Sequence, residues 1–189
     1  LLQAQVEYLK DRLGITKLVL PELPVIPLGI HTEDFNFSAS QKMAARHRLA
    51  IQDDCLVVLF MGRLSFHAKA HPLAMYQALE RAAQQSGKQV VLVECGWHAN
   101  EYIEKAYADA AGLACPSVKR MTLDGRKAED RQSAWACADV FCSLSDNIQE
   151  TFGIVPIEAM AAGLPVVVSD WDGYKDTVRD GVDGFRVPT

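Results

Sequence analysis

The sequence predicts an α/β domain built on a parallel, doubly wound sheet, and three observations predict it. Short apolar runs of strand length recur between segments of helix length from residue 55 to the end. The runs are apolar throughout rather than alternating, the pattern of strands covered on both faces. Parallel pairing also needs long crossover connections, which the intervening helical segments supply.

The elements follow in chain order. "LLQAQVEYLKDRLG" (1–14) reads as an amphipathic helix and "LPELPVIPLGIHTEDF" (20–35) as a proline-broken strand and loop. Neither fits the alternation, so residues 1–37 are assigned to a linker and the tail of a preceding N-terminal domain, and residues 38–189 to the sheet domain. "CLVVLFMG" (55–62) is the first strand, followed by a helix from Pro72 to about Ser86. Pro72 suits a first helical position, where its missing N–H is not needed. "QVVLVECG" (89–96) is the second strand, and "ANEYIEKAYADAAG" is a helix that Gly112 can end. "SVKRMTL" (117–123) is a weaker third strand before the helix around "EDRQSAWACA". "DVFCSLS" (139–145), "PVVVSD" (165–170) and "GFRVP" (184–188) complete the series. Between the fourth and fifth strands, Pro156 is tolerated only in a first turn, so a helix starts between Gly153 and Pro156, and Gly163 with Pro165 ends it. In the common Rossmann-like order 3-2-1-4-5-6, strands one and four are neighbours at the switch point, where ligands bind.

The 189 residues, 49% hydrophobic, suit one globular domain with a substantial core. A net charge of −5 argues against a nucleic-acid partner, which needs clustered basic surface. Cys55, Cys95, Cys115, Cys137 and Cys142 form no CxxC pair and fall in apolar patterns, so they read as small buried hydrophobes in a reducing compartment. No apolar run approaches the roughly 20 residues that span a bilayer. No GxGxxG follows the first strand and no GxxxxGK[ST] occurs, which disfavours classical NAD binding and a P-loop ATPase.

The loops leaving strands one and four are the chemically richest. In "GRLSFHAKAHP", Gly62 lets backbone approach a ligand, and the Arg63 fork with the Lys69 ammonium suits a diphosphate. In "SDNIQETFGIVP" and its continuation, Glu150 precedes the helix start and Glu158 lies inside the helix. Free amides and the helix dipole favour an anion between the two carboxylates, which themselves accept from hydroxyls and repel phosphate. A nucleotide-diphosphate sugar has that shape. The competing reading makes Arg63 and Lys69 solvated cations, Glu150 a solvated loop acid and Glu158 a surface residue. His67 and His71 are four apart, but His71 directly precedes Pro72, so no metal pair is expected. Trp97 and Trp171 read as packed or partly exposed, and Tyr174 with Lys175 as a solvated helix start.

"ETFGIVPIE", continuing "AMAAGLPVVVSD" and then "GYKDTVRDGVDGF", resembles the signature of the retaining group 1 (family 4) glycosyltransferases of GT-B fold. "MGRLSFHAK" is similar to that family's phosphate-binding segment, and "VIPLGIHTEDF" to its interdomain linker. The resemblance implies the donor-binding half of a two-domain enzyme that moves a sugar from a nucleotide-diphosphate sugar to an acceptor with retention. It implies same-face attack by the acceptor; a nucleophilic Glu150 stays open on sequence grounds. It further implies that Arg63 and Lys69 contact the diphosphate, Glu150 the transferred sugar and Glu158 the ribose hydroxyls. Backbone at Gly62, Phe152 and Gly153 would line sugar and phosphate, and the base would lie near Leu123. The sequence departs from the family at Lys69-Ala70, where Lys-Gly is usual, at Asp172-Gly173, where Gly-Gly is usual, and at Asp176, where a glutamate is common. No metal or cofactor is expected beyond the donor substrate. A glycan, lipid or small-molecule acceptor would be held mainly by the N-terminal domain, so these residues alone are expected to bind donor weakly and transfer negligibly. The expected location is the cytoplasm, with association of the full enzyme at the inner face of a membrane left open. Two rival readings are a sugar-nucleotide epimerase of the same architecture and a non-catalytic nucleotide-sugar-binding module.

Overall fold

In the computed structural model, which describes residues 2–22, 24, 26, 28–147, 150 and 152–189, each apolar run becomes a strand. The strands are β1 (Leu56–Met61), β2 (Val90–Gly96), β3 (Lys119–Asp124), β4 (Val140–Ser143), β5 (Val166–Ser169) and β6 (Gly184–Val187). The helices are α1 (Leu2–Leu13), α2 (Ala39–Arg48), α3 (Leu73–Ser86), α4 (Glu101–Ala114), α5 (Ala128–Cys137), α6 (Ile154–Ala161) and α7 (Tyr174–Thr177), with a 3-10 turn at Thr32–Phe35. The sheet order is β3-β2-β1-β4-β5-β6 with every pair parallel, as expected.

Period-2 alternation in the strands divides the core into two layers. Val57, Leu59 and Met61 of β1, with Val91 and Val93 of β2, face α2, α5 and α6. Val58 and Phe60, with Val90 and Leu92, face Met75, Tyr76 and Leu79 of α3 and Ile103 and Tyr107 of α4. Helices on both faces are what make the central strands apolar on both sides. The edge strand β3 is only partly buried, which accounts for its weaker pattern.

Local chemistry sets the helix limits. Ser38 and Gln41 form a reciprocal capping box at α2, and Asn100 Oδ1 accepts from the Ile103 amide at 2.9 Å to start α4. Two expectations need correction. Pro72 is the N-cap of α3 rather than its first helical residue. Gly112 lies inside α4, which continues to Ala114. The stop is Pro116, which disfavours helical backbone at the preceding Cys115.

A buried carboxylate interrupts the apolar interior. Glu94 of β2 is 0% exposed, accepts from the Tyr76 hydroxyl at 2.7 Å and is ion-paired with Arg120 of β3. Burial raises its pKa above the ordinary carboxylate value, with Arg120 and Tyr76 opposing.

Among the described residues, 14–31 hold no helix or strand, so the proline-broken strand expected there is not found. The expectations for 1–37 fall partly on residues 1, 23, 25 and 27, which lie outside the described residues, as do 148, 149 and 151 before α6. The Phe35 ring meets Trp135 of α5 edge-on at 5.7 Å, and Phe37 packs on the same layer. All five cysteines are buried free thiols. No helix among the described residues is long and apolar enough to cross a membrane.

Candidate functional site

The sheet order places the ends of β1 and β4 next to each other, and the loops that leave them are joined by three side chains. Lys69, from the β1–α3 loop, ion-pairs with Glu150, from the β4–α6 loop. Both groups are mostly covered, with 18% and 11% of their side chains exposed. The carbonyl of Lys69 accepts from Ser145 Oγ at 2.5 Å and from the Asn147 side-chain amide. Ser145 is itself held, its carbonyl accepting from Ser169 Oγ at the end of β5.

Gly62 begins the first loop with φ +149°. A Cβ there would stand 3.2 Å from Lys69 Cε, so the glycine leaves room for the lysine stem as well as taking an unusual backbone angle. Its amide donates to the Cys95 carbonyl at 3.0 Å, tying the loop to β2. Arg63 projects into solvent and has no side-chain partner among the described residues.

The second loop enters α6 at Gly153, which is buried and left-handed, φ +75°. The first amides of α6, at Ile154 and Val155, have no intrahelical carbonyl to meet, and Pro156 has no N–H. Phe152, just before the cap, is half-buried.

Glu158 lies further along α6 and lines a cavity of about 780 Å³ with Met61, Ala128, Arg131, Trp135 and Phe35. Burial raises its pKa, and the Arg131 charge opposes that. Arg131 is fixed by donation to the Gly125 carbonyl at 2.9 Å. Leu123 packs partly against the core, so at this end of the sheet the open wall is formed by Ala128 and Arg131 of α5.

The structure therefore brings together Gly62, Lys69 and Glu150, puts Arg63 and the start of α6 on the two loops that meet there, and sets Glu158 on the cavity beside Met61. It also corrects one expectation: Tyr174 is no solvated helix start but is 1% exposed, with its ring against Gly153. The usable sequence signal was Val178, which lies four residues on, shares the core and marks a buried helical face. Arg131 was also missed, since a single arginine on a helix carries no pattern. Trp171 Nε1 donates to the Asn147 carbonyl at 3.2 Å, whereas Trp97 is 40% exposed beyond β2. Among the described residues no group of three or more His, Cys, Asp or Glu side chains is arranged to hold a metal.

Residues 41–189 match the family model described as glycosyl transferases group 1. A D-inositol 3-phosphate glycosyltransferase of Geodermatophilus obscurus is 33% identical over 171 residues, 86% of this chain and 36% of the relative. A phosphatidyl-myo-inositol mannosyltransferase of Mycobacterium leprae is 51% identical over 59 residues, 31% of this chain and 15% of the relative. Among solved structures, HepE of Anabaena in complex with UDP-glucose superposes with a TM-score of 0.67 at 25% identity, over 85% of this chain and 42% of that one. The chain spans well under half the length of these proteins.

Proposed function

The chain belongs to the group 1 glycosyl transferases, and from that premise we propose that it is the donor-binding half of a retaining hexosyltransferase that uses a nucleotide-diphosphate sugar. The observation that carries this reading is the ion pair between Lys69 and Glu150 across the β1 and β4 loops. It puts a phosphate-binding cation and a hydroxyl-binding carboxylate at the switch point of a doubly wound sheet.

In this reading the diphosphate lies between Arg63, Lys69 and the open amides of α6. The sugar contacts Glu150 and the backbone at Phe152 and Gly153. The ribose reaches Glu158, and the base extends over Ala128 and Arg131. That HepE of Anabaena was solved with UDP-glucose supports a donor of this class.

Binding changes the partners of Lys69. Its ammonium turns from Glu150 to the phosphate, which releases the carboxylate to accept from sugar hydroxyls. As the bond from the anomeric carbon to the phosphate oxygen breaks, the electron pair leaves with the diphosphate. Arg63, Lys69 and the α6 amides then meet charge where it develops, the arrangement in which fixed dipoles and cations lower a barrier most. The acceptor oxygen forms the new bond on the same face of the sugar, and its proton passes to the departing phosphate oxygen. Positive charge on the ring is favoured by Glu150 nearby. The chain's own groups supply the compensating charge, so the proposal includes no metal or cofactor.

The acceptor site belongs, in this reading, to a facing domain outside these residues. The test is a thermal-shift panel of UDP-, GDP- and ADP-sugars, followed by transfer kinetics of full-length Glu150→Gln and Arg63→Ala proteins. One donor is expected to raise the melting temperature by mass action. Both variants are expected to lose turnover; near-unchanged kcat/KM in both rejects the assignment.

A further inference from the structure

Tyr174, the first residue of α7, has a buried hydroxyl that packing alone does not explain. Its ring is committed to Gly153: a Cβ at that glycine would stand 2.1 Å from Tyr174 Cε1 and 2.4 Å from Cδ1. A phenylalanine would fill the same space. The hydroxyl instead lies 3.1 Å from Ser143 Oγ, at the end of β4, and Ser143 is itself buried. The Glu150 carboxylate borders the same hydroxyl, within reach of a hydrogen bond. Glu150 is thus bracketed by the Lys69 ammonium and the Tyr174 phenol. A buried hydroxyl left without use costs stability, so its retention between a serine and a carboxylate points to a function for the hydrogen bonds.

We propose that Tyr174 is a positioning residue for Glu150: its hydroxyl accepts from Ser143 Oγ and donates to the carboxylate, holding Glu150 in place when Lys69 leaves it for the donor diphosphate. The inference rests on the donor-site reading above. It explains why the loop before α6 closes on α7. The tyrosine ring requires a glycine at 153, and its hydroxyl then meets the carboxylate three residues earlier in the chain. Lys69 cannot do this job in the loaded site, because its charge is then given to phosphate. Tyr174 makes no contact with the diphosphate in this arrangement, so its removal affects turnover rather than nucleotide affinity.

The test is Tyr174→Phe in the full-length protein, assayed with whichever of UDP-, GDP- and ADP-glucose the wild type consumes. kcat is expected to fall about tenfold, the size of one hydrogen bond to a charged group. The donor KM and the affinity for the matching nucleoside diphosphate are expected to stay within about twofold, and the melting temperature within a few degrees, because the ring remains. Unchanged kcat overturns the inference, as does a fall in kcat accompanied by equal losses in nucleotide affinity and melting temperature. A second readout does not depend on turnover. Crystal structures of unliganded wild type and Tyr174→Phe are expected to show the Glu150 carboxylate displaced in the variant, and an unmoved carboxylate overturns the inference. A wild type that consumes no donor of the panel rejects the donor-site reading, and the structural comparison then decides the role of Tyr174 by itself.

Discussion

Glu94 and Glu150 each meet one cation and one buried tyrosine hydroxyl, yet the first set is built from two adjacent strands and a helix and the second from two loops and a helix start. The cation differs accordingly. Arg120 is a planar fork held on β3, one strand from Glu94, and its geometry favours a fixed pair. Lys69 is a point charge on a flexible stem that passes Gly62, so it can exchange one oxygen partner for another. The same three groups therefore make a permanent joint where every element is rigid, and an exchangeable contact where both carriers are loops at the C-terminal end of the sheet. Placement, more than residue type, separates structure from function.

The largest effect that can break this comparison is on turnover. Glu150→Gln is expected to lower kcat/KM by about 100-fold or more while the melting temperature changes little. Steady-state kinetics beside a thermal melt measure both, and a large loss of stability with preserved turnover would reverse the two roles.

Next in size is the interior pair. Arg120→Met leaves Glu94 buried without its cation and is expected to cost about 3–5 kcal/mol in urea unfolding, because removing one partner strands the other charge. Combining it with Glu94→Met is expected to recover much of that loss. A nearly silent Arg120→Met would show that Glu94 does not depend on its cation.

Lys69→Met sharpens the contrast further. It is expected to weaken nucleoside-diphosphate affinity by about 10- to 100-fold, the range for a charge-assisted contact, and isothermal titration reads this directly. Unaltered affinity would mean that Lys69 serves Glu150 alone.

A smaller effect concerns pH. Glu94 has a folded pKa above the ordinary 4.5, so the native state binds more protons than the unfolded chain in the window above that value. Its contribution to stability is fully present below 4.5 and is lost as pH rises through the folded pKa. Urea unfolding across that window should show the decline, and Glu94→Gln should flatten it.

The smallest effect belongs to the exposed Arg179 and Asp183 pair. Arg179 holds the Asp183 carboxyl down at about 2, so its contribution is present above the ordinary 3.8 and is lost as pH falls through about 2. Arg179→Ala is expected to leave the neutral-pH melting temperature within about one degree, and to show its effect only in acid.

The fold was legible because its signals are local. Strand length, apolar runs and helix stops such as Pro156 and Gly163 depend on neighbours in the chain, and the strand order follows a general rule of parallel sheets. Much of the crevice was legible for the same reason, since the charged residues 63, 69, 150 and 158 cluster after two adjacent strands. What escaped was non-local. Glu94 looks like a blemish in an apolar run until Arg120, on the next strand, and Tyr76, on α3, are placed around it. Tyr174 looks solvated until Gly153, on a different helix start, comes beneath its ring. Gly112 misled because a glycine near a helix end is permissive, whereas Pro116 is prohibitive.

The uncommitted state of Arg63 has a kinetic consequence. With Lys69 occupied by Glu150, an approaching anion first encounters one free guanidinium at the rim, and only afterwards competes for the ammonium. Capture then proceeds in two stages: a rapid encounter that weakens steeply as salt is added, and a slower swap of partners that salt scarcely touches. Stopped-flow mixing with a nucleoside diphosphate would resolve the stages as two phases, and Arg63→Ala would slow only the first.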